Sequence, residues 1–251
     1  MTRTVSVITA AYQPVPEFLL EAYRSLCSQE LPDGWQWQWL VQEDDLAGEA
    51  ARILPSDDPR ISMGAGRHGG ASVARTMCLA RATGELVKVL DADDKLTPGA
   101  LARDVEVLSA EPAVGWTTAR VLDLLPDGST VGFELDPQHG PIAPGAVLQH
   151  WRSHDYRAQV HPATLCARRN LVTALGGWMA LPASGDTGLL LALSAISTGY
   201  FIDQVGLLYR KWDGQVTNQP TYRQGCERSA RMKVIELRAE ALASLWASRA
   251  A

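Results

Sequence analysis

Apolar runs alternate with helical stripes through the first 95 positions. Thr4 to Ala10 (TVSVITA) is a nearly unbroken β-branched run, the pattern of a parallel strand buried on both faces. Ala11 to Pro14 forms the loop at its carboxyl end. Pro16 opens a helix, because its fixed φ suits a first turn, and Phe18, Leu19, Ala22 and Leu26 follow at helical spacing. After the turn Pro32-Asp33-Gly34, Trp35 to Val41 alternates and then becomes wholly apolar, a second strand that closes on Glu43-Asp44-Asp45. Ile61 to Met63 is a short third strand. Ala71 to Ala82 is a helix with Val73, Met77 and Ala80 turned inward. Glu85 to Leu90 is a fourth strand and runs straight into Asp91-Ala92-Asp93-Asp94. Strand and helix alternating in this way predict a mostly parallel central sheet flanked by helices, an α/β fold.

The pattern changes near residue 96. A helix over Leu96–Ala110 precedes two strands, Val114–Leu125 and Thr130–Phe133, joined at Pro126-Asp127-Gly128 as a hairpin. A loop rich in proline and glycine covers 134–145, and a loop that long in a compact domain is usually functional. Gly145–Trp151 is a short helix, Val160–Ala167 a strand and Asn170–Leu175 a helical turn ending at Gly176-Gly177. Asp186–Ser197 is a strongly apolar helix, and Tyr200–Trp212 covers one or two strands. Residues 224–251 form a long terminal helix, with Val234, Leu237, Ala241, Leu242 and Leu245 on one side; it packs on the domain or pairs a homodimer. No repeat or linker divides the chain, so 1–251 is one domain.

Composition narrows the classes. Hydrophobic residues are 46% and charged residues 20% of 251, an ordinary globular balance. The net charge of −5, with no Lys/Arg run, argues against a nucleic-acid partner. The longest apolar run, near Gly188 to Ile196, is too short to span a bilayer. No signal peptide is expected at the N-terminus. The four cysteines form no CxxC, which suits reduced, mostly buried thiols in a cytoplasmic protein.

The acidic strand end carries the first chemistry. Three carboxylates in four residues, at the carboxyl end of a strand, lie where α/β sheets place ligands. Together they repel, and a divalent cation such as Mg²⁺ or Mn²⁺, shared with substrate phosphates, removes that cost. The competing reading is a solvated turn capping the helix after Pro98. Gly64-Ala-Gly66-Arg-His-Gly69 matches the dinucleotide pattern GxGxxG, but its strand is short and Glu85 stands at the wrong end of the next one, so a turn that brings backbone to a ligand fits better. Arg75 is either a diphosphate contact or a surface arginine pairing with Glu85 or another exposed acid. Glu43 to Asp45 is either a solvated turn or an acceptor for a base N–H. Asp186 is either an N-cap or a general base. His150 and His154 lack the glutamate of HExxH and make no zinc site. His161 is either structural or a cleft residue.

These residues, in this order, resemble the family-2 inverting glycosyltransferases of the GT-A fold. Val5 to Gln13 looks like that family's opening strand and loop, and Val41 to Asp45 like its V-D-D-G-S segment. Gly70 to Asp94 is the most specific match, with Gly70, Arg75, Gly84-Glu85 and the DxDD in register. The resemblance implies a nucleotide-binding half (1–95), an acceptor-binding half (96–223) and a terminal helix (224–251). It implies that Thr9, Ala11, Tyr12, Asp44, Arg75, Asp91 and Ala92 bind a nucleoside-diphosphate sugar, UDP or dTDP, and that Asp93 holds Mg²⁺ or Mn²⁺. Asp186 is the implied base, acting on an acceptor hydroxyl that is expected to belong to a small molecule. His154, His161 and Trp212 are candidate acceptor or lid contacts, and the 134–145 loop a candidate lid. Gly185 stands where the family usually has Glu, and Trp212 where it often has His. A catalytically silent sugar-nucleotide binder and a sugar nucleotidyltransferase are the alternatives; the latter lacks its Gly-rich loop after the first strand.

Overall fold

The computed structural model describes residues 2–133, 136–218 and 225–250. The first two positions of the expected lid loop and the expected start of the terminal helix at 224 lie outside the described residues. The first half runs β1 (Arg3–Ala11), α1 (Pro16–Cys27), β2 (Trp35–Glu43), α2 (Glu49–Ile53), β3 (Ile61–Ala65), α3 (Ala71–Cys78) and β4 (Leu86–Val89). The second runs β5 (Lys95–Leu96), α4 (Ala100–Ala110), β6 (Val114–Leu124), β7 (Thr130–Val131), β8 (Gly140–Ile142), α5 (Ala146–Ser153), β9 (Cys166–Arg168), α6 (Arg169–Ala174), α7 (Gly185–Ile196), β10 (Thr198–Arg210) and α8 (Cys226–Ala250).

Among the described residues these strands make one sheet in the order β3-β2-β1-β4-β9-β6-β10-β5, with β7 on β6 and β8 on β10. β3, β2, β1 and β4 are parallel neighbours. β9 then runs antiparallel to both β4 and β6, and β10 is parallel to β6. The carboxyl ends of β1, β2 and β4 therefore open on one edge, with β9, β6 and β10 beyond them.

Each face of the sheet carries a core. Ile8, Val87, Val89, Trp116 and Trp151 face α7 and α8. Val5, Val7, Trp39 and Val41 face α1 and α4. The alternation within β1 follows from the period of two in a strand. α7 is apolar all round, as a helix enclosed by protein must be: Leu189, Leu190, Leu191 and Leu193 are all 0% exposed, each burial stabilising by about 1.5–3 kcal/mol.

Several expectations need correction. The Val160–Ala167 strand is instead a 3-10 turn over Pro162–Thr164 followed by the short β9; Pro162 removes a ladder donor. Tyr200–Trp212 is the single strand β10. The 134–145 loop contains β8, paired antiparallel to β10. α3 presents Ser72, Ala74, Arg75 and Cys78 inward and leaves Met77 55% exposed, because Arg75 turns in to pair with Asp91 and Asp186. α8 buries Met232, Ile235 and Ala239 against α7 and exposes Val234, Leu237 and Leu245. All four cysteines are free, but only Cys78 and Cys166 are buried. No described helix is long and apolar enough to cross a membrane.

Candidate active site

A cavity of about 1890 Å³ opens where the carboxyl ends of β1, β2 and β4 meet the start of α7. That exceeds the roughly 300–1,000 Å³ typical of a single-ligand site, so it has room for two. Ala11, Tyr12, Asp44, Arg75, Asp91, Ala92, Asp93, His154, His161, Asp186 and Trp212 all line it.

Thr9 does not. Its hydroxyl donates to the Leu90 carbonyl at 2.6 Å and accepts the Trp39 indole N–H at 2.8 Å. With no exposed surface, it ties β1 to β4 below the cavity floor.

Arg75 joins the two halves of the site. It reaches inward from α3, pairs with Asp91 at the end of β4, and donates to Asp186 Oδ2 at 3.0 Å. The surface pairing with Glu85 does not occur, because Glu85 pairs with Arg3 at 2.9 Å. Burial opposes the Arg75 charge, but Asp186 and Asp91 outweigh burial and hold its pKa above the ordinary value.

Asp186 is not an N-cap. Ser184 holds that position, in the left-handed region at φ 63°, and Asp186 lies inside the first turn of α7. Its second oxygen accepts the Trp178 indole N–H at 2.7 Å. Burial pushes the Asp186 carboxyl above the ordinary range, with Arg75 pulling the other way. Two donors thus orient a carboxylate that takes a proton more readily than a solvated one. Gly185 has a packing reason: a Cβ there would lie 1.9 Å from Ser72 Oγ. A side chain at 185 would force the Ser72 hydroxyl to turn away and would still lie 3.0 Å from Ser72 Cβ.

The acidic run divides its work. Asp94 is 0% exposed, and its Oδ1 accepts the backbone N–H of Arg210 at 2.8 Å. Its Oδ2 is buried without a hydrogen-bond donor. Burial, then Asp91 and Asp93, push its carboxyl well above the ordinary range. Asp93 Oδ2 accepts the Trp212 indole N–H at 2.7 Å, and burial followed by Asp91 raises its pKa too. Trp212 is steadied edge-on by Phe18 at 5.5 Å, while the Arg210 guanidinium lies over the Phe18 ring. Three carboxyls crowded into four residues, with Asp93 and Asp94 held above the ordinary range and Asp91 and Asp93 facing the cavity, suit a hard divalent cation. Asp91 and Asp93 each commit one oxygen to a protein donor and have a second, and Mg²⁺ commonly takes only one or two carboxylates beside substrate phosphates. Among the described residues no three His, Cys, Asp or Glu side chains make a ready cage, so a bound cation needs oxygens from substrate.

At the β2 end, the GxGxxG loop wraps a carboxylate of its own chain. Asp44 accepts the N–H groups of Gly69 at 2.7 Å and Gly70 at 2.9 Å. Gly70 has φ 89°, a conformation that glycine adopts without penalty. His68 Nδ1 lies 3.0 Å from Asp44 Oδ2, and its ring packs on Tyr12 with centroids 4.5 Å apart. Tyr12 is 51% exposed, an open aromatic face beside the cavity. His150 and His154 stack at 3.7 Å, and His154 Nδ1 lies 2.8 Å from the His150 carbonyl.

Residues 6–124 match the family model described as Glycosyl transferase family 2. This stretch belongs to that family. Its span holds the β1 loop, Asp44, Arg75 and the whole acidic run, while Asp186 and Trp212 lie beyond it. The uncharacterized protein y4gI of Sinorhizobium fredii is 29% identical over 113 residues, which are 43% of this chain but 12% of that protein. The match thus spans a small part of that relative. Over 99% of its length the chain also superposes on S. aureus TarS. In complex with UDP-GlcNAc the TM-score is 0.70 at 15% identity, covering 72% of that chain. In complex with UDP it is 0.66 at 14% identity, covering 71%. The fold is therefore the GT-A fold expected from the sequence.

Trp178, His68, Phe133 and Arg210 escaped the sequence reading as site residues. Trp178 follows the Gly176-Gly177 turn, and that turn was the available signal.

Proposed function

We propose that this protein is an inverting, metal-dependent glycosyltransferase that moves a sugar from a UDP or dTDP sugar to an acceptor hydroxyl. The observation that carries the reading is the Asp91–Arg75–Asp186 bridge. One guanidinium fixes a base candidate opposite the acidic strand end, across a cavity with room for two substrates.

Tyr12 offers a ring face to the base, and Asp44, whose oxygens keep further lone pairs, accepts its imide N–H. Asp186 takes the proton of the acceptor hydroxyl as the acceptor oxygen bonds to the anomeric carbon. The bond from that carbon to the diphosphate breaks on the opposite face, its electron pair leaves with the nucleoside diphosphate, and the configuration inverts. A divalent cation held at Asp93, when bound, offsets charge on the leaving diphosphate. Arg75 keeps Asp186 and Asp91 in register throughout. The UDP complexes of TarS support the choice of nucleotide. The acceptor is taken to be a small molecule.

Calorimetric titration of UDP with and without Mn²⁺ tests the donor site. Tighter binding in Mn²⁺, lost in Asp93→Ala, is the expected result. Equal binding with and without Mn²⁺ in both proteins would remove the metal from the account. Asp186→Asn is expected to keep UDP affinity while losing turnover by about 100-fold or more, the usual scale for a general base.

A further inference from the structure

Ser72, in the first turn of α3, carries a hydroxyl that nothing in the fold uses. The residue is 4% exposed and lines the cavity. Among the described residues its Oγ has no hydrogen-bond partner. Unlike Asp94 Oδ2, that oxygen is not sealed from solvent, so the cavity is what it meets. The hydroxyl lies on the α7 side, 1.9 Å from where a Cβ on Gly185 would stand. Gly185 adjoins Asp186. Arg75, three residues further along α3, bonds both Asp186 and Asp91. On the other side, Asp44 holds the N–H groups of Gly69 and Gly70. Ser72 therefore stands between the nucleoside end of the cavity and Asp186.

We infer, resting on the glycosyltransferase reading and deepening it, that Ser72 bonds a hydroxyl of the transferred sugar and is a specificity-determining residue for the donor. Position is one reason. In a direct displacement the anomeric carbon lies between the leaving diphosphate and the acceptor oxygen, whose proton Asp186 must reach. The sugar ring then occupies the stretch between the Asp44 end and Asp186, and Ser72 is on its wall.

Polarity is another. Asp91 and Asp186, when ionised, only accept hydrogen bonds, and the two terminal nitrogens of Arg75 are already bonded to them. A serine hydroxyl both donates and accepts, so Ser72 adds a donor that these acids lack. Gly185 keeps that donor available. A side chain there would displace the hydroxyl, and the glutamate that the family usually has would bring a charged acceptor in its place. A sugar hydroxyl can accept from Ser72 while it donates to a neighbouring carboxylate.

Calorimetric titrations of the full chain in Mn²⁺ test this with three matched pairs: UDP against UDP-glucose, UDP against UDP-GlcNAc, and dTDP against dTDP-glucose. Ser72→Ala is expected to weaken at least one nucleotide sugar by about fivefold or more, the scale of one hydrogen bond, while the matching nucleoside diphosphate binds as it does to wild type. Gly185→Ala, whose methyl turns the hydroxyl away, is expected to shift the same ratio in the same direction. The melting temperature of Ser72→Ala is expected to stay at the wild-type value, because no bond within the protein is lost. Equal weakening of a nucleotide sugar and its diphosphate would put Ser72 on the phosphates or in the fold, and would overturn the inference. Unchanged affinity for all three nucleotide sugars, an unshifted ratio in Gly185→Ala, or a Ser72→Ala protein that does not fold would overturn it as well, with the donor reading intact. Failure of both UDP and dTDP to bind the wild-type protein would remove the glycosyltransferase reading and this inference with it.

Discussion

Asp186 owes its chemistry to two hydrogen bonds. The Trp178 indole at 2.7 Å and Arg75 at 3.0 Å both stabilise its ionised form, while burial raises its pKa. A base works only when deprotonated, so kcat/KM falls as pH drops through that pKa, and the acid limb lies above the ordinary aspartate value of about 3.9. Trp178→Phe removes one donor to the carboxylate and raises the pKa further. The acid limb of the pH–rate profile is expected to move up by about one unit; an unmoved or lowered limb would exclude Asp186 as the titrating base. At this scale the sequence was legible where residue type and position agree. Asp186, Arg75 and Asp93 all reach the cavity. Thr9 does not, because strand alternation turns its hydroxyl under the floor, and a local motif carries no information about which face a strand presents. Gly185 was also opaque. Its reason is Ser72, which belongs to another helix more than one hundred residues away in sequence.

At the scale of elements, a buried ion pair holds β4 in place behind the site. Lys88, at the centre of β4, is 1% exposed and donates to Asp104 on α4 and to the Thr164 carbonyl, both at 2.7 Å. Thr117 on β6 donates to the other Asp104 oxygen at 2.6 Å. Four segments thus meet three residues before Asp91. Lys88→Met leaves Asp104 buried without its cation, and this is expected to cost about 3–5 kcal/mol in urea unfolding. Lys88→Met with Asp104→Leu is expected to recover most of the loss. A double variant no more stable than the single would show that the pair does more than neutralise itself. The strands of the first half were legible because parallel strands, buried on both faces, are long apolar runs. The second half was less so. In α8 two apolar stripes compete, and hydrophobicity alone does not choose Met232, Ile235 and Ala239 over Val234, Leu237 and Leu245; the fit against α7 does.

At the scale of the molecule, one sheet with a core on each face brings every cavity loop to a single edge. The parallel β3-β2-β1-β4 half supplies Tyr12, Asp44 and the acidic run. Beyond β4 the sheet continues through β9, β6 and β10, and Phe133, His161 and Tyr209 line the same cavity from that side. α7 completes the cavity by delivering Asp186 across from Asp91, and α8 packs along α7 behind it. The central claim is that this cavity transfers a sugar with inversion, with Asp186 as base. The most direct test incubates wild-type protein and Asp186→Asn with UDP-glucose, UDP-GlcNAc and dTDP-glucose, all α-linked, plus Mn²⁺ and a panel of small hydroxylated acceptors. Proton NMR then reads the anomeric configuration of the first product. The account predicts a β-configured product from at least one donor with the wild-type protein, and almost none with Asp186→Asn. An α-configured product, or wild-type turnover by Asp186→Asn, would contradict it.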